Sequence, residues 1–377
     1  MKTDRILQIG FLLLPFMWLS TGRPAYGQFI WAIILVIAAL SACFENRWIR
    51  WFGFYIAAWV LAIQLFRVFL PNDPTIRHVS FNVCNRSMYI LIGLCVLYFV
   101  TRSRSRTETW LNWICAAAVV QCIVAIPQQF GVYPWIDLLN FAGFSVSNVS
   151  SSMAVGTLEN VNFFSGFIAI ASPLFFRSSP ISLAWPKSRV IRIRWWFFIP
   201  LIAFHLLLSR TATAVAAASV AVMVIFPSVW IWAGMAAAAM LFAWHDGTLT
   251  RIMYGAPRFE FWKEAMGNIG AWQWPFGHGL GISWGKDFNL HNDWLQLVYE
   301  LGVTGLALVS GYIATVYRSH RLLFAALVAA CVNAGGNYPM HLPSSGILVV
   351  IIIGLIEKER LAASIAGAAH IKERKRA

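Results

Sequence analysis

Charged residues are scarce in this chain. Only 12% of its 377 residues are Asp, Glu, Lys or Arg, whereas 59% are hydrophobic, and a soluble domain of this length carries about a quarter charged residues. This imbalance argues against a soluble globular enzyme and indicates that apolar surface is given to lipid. We therefore predict an all-α, polytopic membrane protein that forms a single integral membrane domain over residues 1–377.

Cysteine is also sparse, and its placement excludes most cysteine chemistry. Six Cys occur, mostly inside apolar stretches and without a CxxC pair. We interpret them as small buried hydrophobic residues and predict neither a disulfide framework nor a zinc site. We expect no metal and no cofactor. The cysteines are Cys43, Cys84, Cys95, Cys115, Cys122 and Cys331.

Acidic residues are the third scarcity, with 15 against 29 Lys and Arg, which gives a net charge of +14. The basic residues lie mostly in short loops between apolar runs rather than along one face of a soluble domain. That distribution is typical of cytoplasmic loops in membrane proteins and argues against nucleic-acid binding.

Long apolar runs are abundant, and they predict about twelve transmembrane helices. With both termini in the cytoplasm, 20 of the 29 basic residues fall on the cytoplasmic side, as the positive-inside rule requires. A signal peptide cleaved near Ala25-Tyr26-Gly27 is an alternative for the first span. The predicted spans are 6–20, 28–43, 51–69, 86–101, 110–131, 161–177, 195–209, 211–226, 228–244, 291–316, 322–333 and 345–357.

This topology leaves two substantial external loops and a basic internal tail. Residues 132–160 lack Lys and Arg, whereas residues 245–290 form the principal loop and hold most of the external charge. Residues 358–377 form a basic cytoplasmic tail that we expect to be frayed.

The principal loop has its own helical pattern. Pro257 suits a first helical position, and an amphipathic helix is predicted to follow, with Arg258 and Trp262 on one face and Glu260 and Glu264 on another. A solvated Arg258 on an interfacial helix is the simpler alternative.

Three alternating glycines follow this helix. Gly277, Gly279 and Gly281 would let the backbone approach a ligand or another chain segment closely, although a tight turn explains them equally well. A dinucleotide-binding loop is excluded because no strand precedes them.

The chain then re-enters the apolar region at His291. On a straight helix His291, Gly302 and Gly305 lie on one stripe, which predicts close approach by a neighbouring helix. Asp293 and Glu300 lie on the opposite face, which argues against a His–Asp metal pair. An ordinary interfacial His is the alternative.

Polar residues at other external helix ends point to the same side of the membrane. Arg210 closes one such end, and Asn160 and Asn162 stand at another. Their shared side favours one external site that also includes His291.

Together these segments resemble the O-antigen ligase family, which also contains O-antigen polymerases and bacterial protein O-oligosaccharyltransferases. The resemblance covers about 190 residues of the second half. The matching positions are Gly156-Thr157, Asn160, Asn162, Ser209-Arg210-Thr211, Arg258, Trp262, Pro275, Gly277, Gly279, Gly281, His291-Asn292-Asp293, Glu300, Gly302, Gly305 and 337–343. The chain departs from the family at Asn337, where an acidic residue is common.

The resemblance implies a GT-C-like glycosyltransferase of the bacterial inner membrane, with its active site facing the periplasm. Such enzymes transfer a glycan from undecaprenyl pyrophosphate, invert the anomeric centre and use no metal. His291 would act as general base toward the acceptor hydroxyl, while Arg258 and Arg210 would hold the pyrophosphate. Predicted substrate contacts are Asn160, Asn162, Trp262, Asn292 and His341.

The resemblance leaves the acceptor open. We favour lipid A–core, with the growing glycan or a protein Ser as alternatives. From a different class, a lipid-linked glycan flippase or transporter also fits twelve helices. Transporters usually carry ionisable residues near the bilayer midplane, and here Glu300 is the main acidic residue away from loops and helix mouths.

Overall fold

The computed structural model describes residues 93–94, 96–133, 161–177, 180–185, 189–209, 211–228, 257–279, 290, 292–317, 320–337 and 343–374. This part of the chain is mostly helical. Residues 96–102 are helical, and the helices that follow are α1 (Thr107–Gln128), α2 (Val161–Ala171), α3 (Ile199–Leu208), α4 (Ala212–Ile225), α5 (Pro257–Gly267), α6 (Gln273–Phe276), α7 (Asp293–Val316), α8 (Arg321–Ala334) and α9 (Pro343–Arg374).

Two of these helices, α1 and α7, are long and apolar enough to cross a membrane. Helices also cover the predicted spans 161–177, 195–209, 211–226, 322–333 and 345–357, so the prediction that these segments are helical is confirmed. The spans 6–20, 28–43 and 51–69 and the candidate cleavage site at 25–27 lie outside the described residues, as does almost all of the span 228–244 and of the loop 132–160. The arrangement of twelve spans stays a prediction.

Helix α2 forms the centre of the bundle. Phe167, Ile168 and Ile170 are fully buried, although they point in different directions around the helix, and a helix that is apolar all round must be enclosed by others. Helices α1, α3, α4, α8 and α9 pack around α2. This packing fixes where the ends of the surrounding helices lie, and therefore where polar residues at those ends can meet.

Helices α4 and α8 are the most extensively paired. Both helices carry small, fully buried side chains, among them Ala217 and Ala221 on α4 and Ala326 and Ala330 on α8. Small residues let two helix backbones approach closely, which is how helices associate where no water drives them together. The close pairing brings the N-terminus of α4 beside the C-terminus of α8.

Two features differ from the sequence-based predictions. The expected frayed tail is wrong for most of its length, because α9 continues as a helix to Arg374. An antiparallel hairpin of β1 (Pro180–Trp185) and β2 (Arg189–Arg194) departs from an all-α fold, and it pairs Ile181 with Ile193. Aliphatic and β-branched residues on both strands favour cross-strand pairing over a helix in this short segment.

Two of the basic residues that the sequence analysis assigns to the cytoplasmic side, Arg177 and Lys358, lie at one end of the described bundle. The buried Arg177 forms an ion pair with Glu108 at 3.3 Å and lies 5.2 Å from the ring of Trp195. The Lys358 ammonium donates to the Ser103 carbonyl at 2.8 Å. This end lies opposite the N-termini of α2 and α4, where the candidate site begins.

Candidate functional site

The predicted site residues are described to different extents. Asn162, Trp262 and Asn292 are described with their side chains, and Arg258 is described only as part of the backbone of α5. Arg210, Asn160, His291 and His341 lie outside the described residues. The geometry of the site is therefore built from the residues that flank these four positions in the chain.

Hydrogen bonds join the helix ends that carry the predicted residues. Thr211, which caps α4, donates to Asn162 Oδ1 at the start of α2 (3.3 Å). Two residues further along α4, Thr213 Oγ1 accepts from Asn337 Nδ2 beyond the end of α8 (2.8 Å). The Asn337 carbonyl in turn accepts from the Asp293 amide at the start of α7 (3.3 Å). We call this set of residues, together with Asn292 and Asn333, the polar layer.

The polar layer brings together four segments that are far apart in sequence. Their meeting follows from the helix directions: α2, α4 and α7 begin at this end of the bundle, whereas α8 ends there. The buried Asn333 reinforces the layer, since its side chain accepts from Asn337 Nδ2 at 3.0 Å and packs so closely on Gly166 that a Cβ at Gly166 would lie 2.6 Å from it. Arg210 itself lies outside the described residues, but its neighbours Ser209 and Thr211 are both buried at this end.

Asn292 fixes the start of α7. Its Oδ1 accepts from the Leu295 amide at 3.1 Å, which is an N-cap. Its Nδ2 donates to the Gly335 carbonyl at 2.7 Å and so ties α7 to the end of α8. Both polar groups of this side chain are used by the protein, and the side chain is buried. A structural role is thus visible, whereas the predicted substrate contact stays a prediction.

Leu290, which immediately precedes His291, is also held by hydrogen bonds. The Leu290 carbonyl accepts from Trp262 Nε1 at 2.6 Å, and the Leu290 amide donates to Gln296 Oε1 at 3.2 Å. Leu290 is itself buried. The chain is therefore anchored immediately before and immediately after position 291.

Helix α5 packs on α7 through the face predicted from its pattern. Trp262 contacts a small apolar cluster centred on Ala265 and Leu290, whereas Glu260 and Glu264 are exposed, as expected for a shared opposite face. Pro257 is the first residue of the helix, which confirms its predicted position. Arg258 lies one turn before Trp262 on α5. It is therefore close in sequence to the residue whose Nε1 donates to the Leu290 carbonyl.

Helix α7 is broken at Gly302, so the straight-helix prediction is wrong. Gly302 has φ 68° and ψ −169° within the run from Asp293 to Val316. The two parts are roughly 13 and 21 Å long at 1.5 Å per residue, each shorter than a hydrocarbon core of about 30 Å. His291, Gly302 and Gly305 consequently do not share one continuous stripe.

The break is filled by the glycine-containing segment of the principal loop. The amides of His278 and Gly279 donate to the carbonyls of Tyr299 (2.9 Å) and Glu300 (3.0 Å), and the rings of His278 and Tyr299 stack at 4.1 Å. Close approach at Gly302 was expected from a neighbouring helix; it comes instead from the end of α6 and the loop behind it. Interrupted backbone at membrane depth is tolerated when protein covers it in this way.

Three polar side chains of the first part of α7 are buried. Asp293, Gln296 and Glu300 are 7%, 2% and 5% exposed, and Gln296 Nε2 donates to Glu300 Oε1 at 2.6 Å. In the sequence, Glu300 stood out as an acidic residue within an apolar span, but its partner was not predicted. The sequence signal for this bond was the spacing of four residues between Gln296 and Glu300, because residues at that spacing are neighbours on a helix surface. Among the described residues, no group of three His, Cys, Asp or Glu is placed to bind a metal ion.

Comparison with known proteins does not extend this picture. No protein-family model matches the chain, and no curated protein matches it significantly.

Proposed function

We propose that this protein is a membrane glycosyltransferase that moves a glycan from undecaprenyl pyrophosphate to an acceptor hydroxyl, with ligation to lipid A–core as the favoured reaction. The reaction takes place at the end of the bundle that carries the polar layer, which corresponds to the periplasmic side. His291 takes the proton of the acceptor hydroxyl, and Arg258 and Arg210 neutralise the charge that develops on the leaving pyrophosphate.

The observation that carries this proposal is the convergence of separate helix ends on one polar layer. The segments that resemble the family, around Asn162, Thr211, Asn292 and Asn337, meet there through direct hydrogen bonds. A catalytic site needs groups from several elements held in fixed relation, because misplacement by even about 1 Å lowers rates strongly. Anchoring of both neighbours of position 291 supports that requirement.

A second candidate function, transport of a lipid-linked glycan across the membrane, is favoured by one specific observation. Transporters place ionisable residues on discontinuous helices, and Glu300 is buried two residues before the break at Gly302. In this protein, however, that break is filled by protein backbone from the loop at Gly277, which leaves glycosyl transfer as the better-supported proposal.

The decisive experiment is glycan transfer by the purified full chain in lipid nanodiscs. The donor is an undecaprenyl-pyrophosphate-linked oligosaccharide, and the acceptors offered separately are lipid A–core, free glycan repeat units and a Ser-containing protein. We expect His291→Ala and Arg258→Ala to abolish transfer, since they remove the base and a leaving-group cation. Lys263→Ala, which removes an exposed cation from the same helix as Arg258, is the matched control and should retain activity.

The acceptor that reacts distinguishes the three enzymatic variants of the proposal. Full activity in His291→Ala would refute the assigned chemistry. No transfer to any acceptor, combined with movement of labelled donor between leaflets in liposomes, would instead establish the transport function.

A further inference from the structure

Residue Leu290 is held by groups from two different helices. Its carbonyl accepts from Trp262 Nε1 of α5, whereas its amide donates to Gln296 Oε1 of α7. The second bond runs from a side chain inside α7 back to the chain that precedes the helix. It therefore defines how the backbone enters α7, and position 291 lies within that entry.

The side-chain amide of Gln296 has only one orientation that satisfies both its partners. The Leu290 amide can only donate, so it requires the oxygen of Gln296. The Glu300 oxygen accepts, so it requires the nitrogen, and this bond measures 2.6 Å. Glu300 thus sets the amide orientation of Gln296, and Gln296 sets the position of Leu290.

Burial makes this connection stiff. Gln296, Glu300 and Leu290 are all at most 5% exposed, so water has little access to replace either bond. A buried polar group that loses its partner is destabilising, so the alternatives to this arrangement are disfavoured.

We propose that Gln296 and Glu300 are positioning residues that hold the backbone at Leu290, the residue immediately before His291. Neither touches the reacting atoms; both act through the chain that carries His291. The catalytic consequence rests on the proposed function, in which His291 is the general base. The structural part does not depend on it.

The structural part is tested by a nitroxide spin label on Cys introduced at position 291 in the full chain. The parent protein with its six native Cys supplies the background spectrum. We expect Gln296→Ala and Glu300→Leu each to convert the immobilised spectrum at 291 into a mobile one. A label at Ala314, which is exposed on α7 beyond the break, should be unchanged and excludes general unfolding.

A swap of the two residues provides a rescue. Gln296→Glu alone places two carboxyl groups against each other and should mobilise the label. The double variant Gln296→Glu with Glu300→Gln restores both bonds, because the new Glu accepts from the Leu290 amide and from the new Gln. The immobilised spectrum should return in the double variant. A spectrum at 291 that stays immobilised in all single variants would overturn the proposal.

The catalytic consequence is tested by glycan transfer in nanodiscs. Glu300→Leu and Gln296→Ala should lower kcat by about 100-fold, the scale of a misplacement near 1 Å, with the KM for the undecaprenyl-pyrophosphate donor nearly unchanged. The swapped pair should recover most of kcat. A raised KM with an unchanged kcat would show substrate contact and contradict positioning. Label effects at 291 without any transfer activity in the parent protein would uphold the structural part and refute the proposed function instead.

Discussion

At the break in α7, Gly277 and Gly302 each lie against the peptide that immediately precedes the other. Their φ values are 73° and 68°. A Cβ at Gly277 would overlap the Glu300–Leu301 peptide, and a Cβ at Gly302 would overlap the Pro275–Phe276 peptide. The break is therefore specified by two segments at once, the principal loop and the helix that it covers.

We expect Gly302→Ala to lower the free energy of unfolding by about 3 kcal/mol or more. The backbone there is nearly restricted to Gly, and the added methyl group would overpack the loop. Thermal unfolding in detergent measures the effect. Gly311→Ala is the control on the same helix: its Cβ would meet nothing within 4 Å, so it should stabilise the helix slightly, by about 0.5–1 kcal/mol. Equal loss in both variants would contradict this account.

Substitutions of Asn292 separate two contributions to the stability of the α7 N-terminus. Asn292→Ala should cost about 1–2 kcal/mol from the lost N-cap, in addition to the lost bond to the Gly335 carbonyl. Asn292→Asp keeps the acceptor for the Leu295 amide but loses the donor to Gly335, so it should be intermediate. Chemical unfolding of the three proteins gives the order. An Asp variant as unstable as the Ala variant would mean that the bond to α8 dominates.

Substitutions of Trp262 test whether this side chain anchors Leu290 or contacts a sugar of the substrate. Trp262→Phe keeps an aromatic ring for stacking but removes the Nε1 donor to Leu290, a net loss of about 1 kcal/mol. We expect kcat for glycan transfer to fall several-fold while the donor KM changes little. Trp272→Phe, at a side chain that is 92% exposed, should have no effect. Unchanged kinetics in Trp262→Phe, with a raised KM in Trp262→Ala, would favour the predicted substrate contact.

Asn337 joins α4 and α8 in the polar layer. Asn337→Leu leaves the half-buried side chain of Thr213 and the buried side chain of Asn333 without this partner, and we expect a loss of about 1–3 kcal/mol. Asn337→Asp should be milder, because the Thr213 hydroxyl can rotate and donate to a carboxylate, so that only the bond to Asn333 Oδ1 is lost. Thermal unfolding compares the two. A milder Leu variant would show that the polar bonds of Asn337 contribute little.

Much of the local structure was predictable from sequence. Apolar runs indicated the helices from 161 to 226 and from 322 to 357, and Pro257 together with the charge pattern indicated α5 and its faces. These signals are local: they depend on composition and on spacing along one helix. The side on which Asn162, Arg210 and His291 would meet was predicted from charge alone and stays a prediction. Among the described residues, Thr211 bonds to Asn162, and Asp293 is linked to this pair through Asn337 and Thr213.

Partners across the sequence were not predictable. The stripe through His291, Gly302 and Gly305 assumed a straight helix, and nothing near Gly302 revealed that backbone some 25 residues earlier would fill a break there. The sequence likewise showed the i, i+4 spacing of Gln296 and Glu300 but not the third member, Leu290, which lies outside the helix. The continuation of α9 to Arg374 was not predicted, because the fraying expected of a chain end does not account for a long C-terminal helix.

The sequence by itself determined that this chain is rich in apolar helices, where most of the described ones begin and end, and which polar residues stand at their ends. Those properties follow from hydrophobicity and local geometry. Only the tertiary structure decided that Gly277 meets Gly302, that Asn337 joins Thr213 to Asp293, and that Leu290 is held from two sides. Such contacts depend on which helices pack together, and residues distant in the chain carry no local mark of their partners.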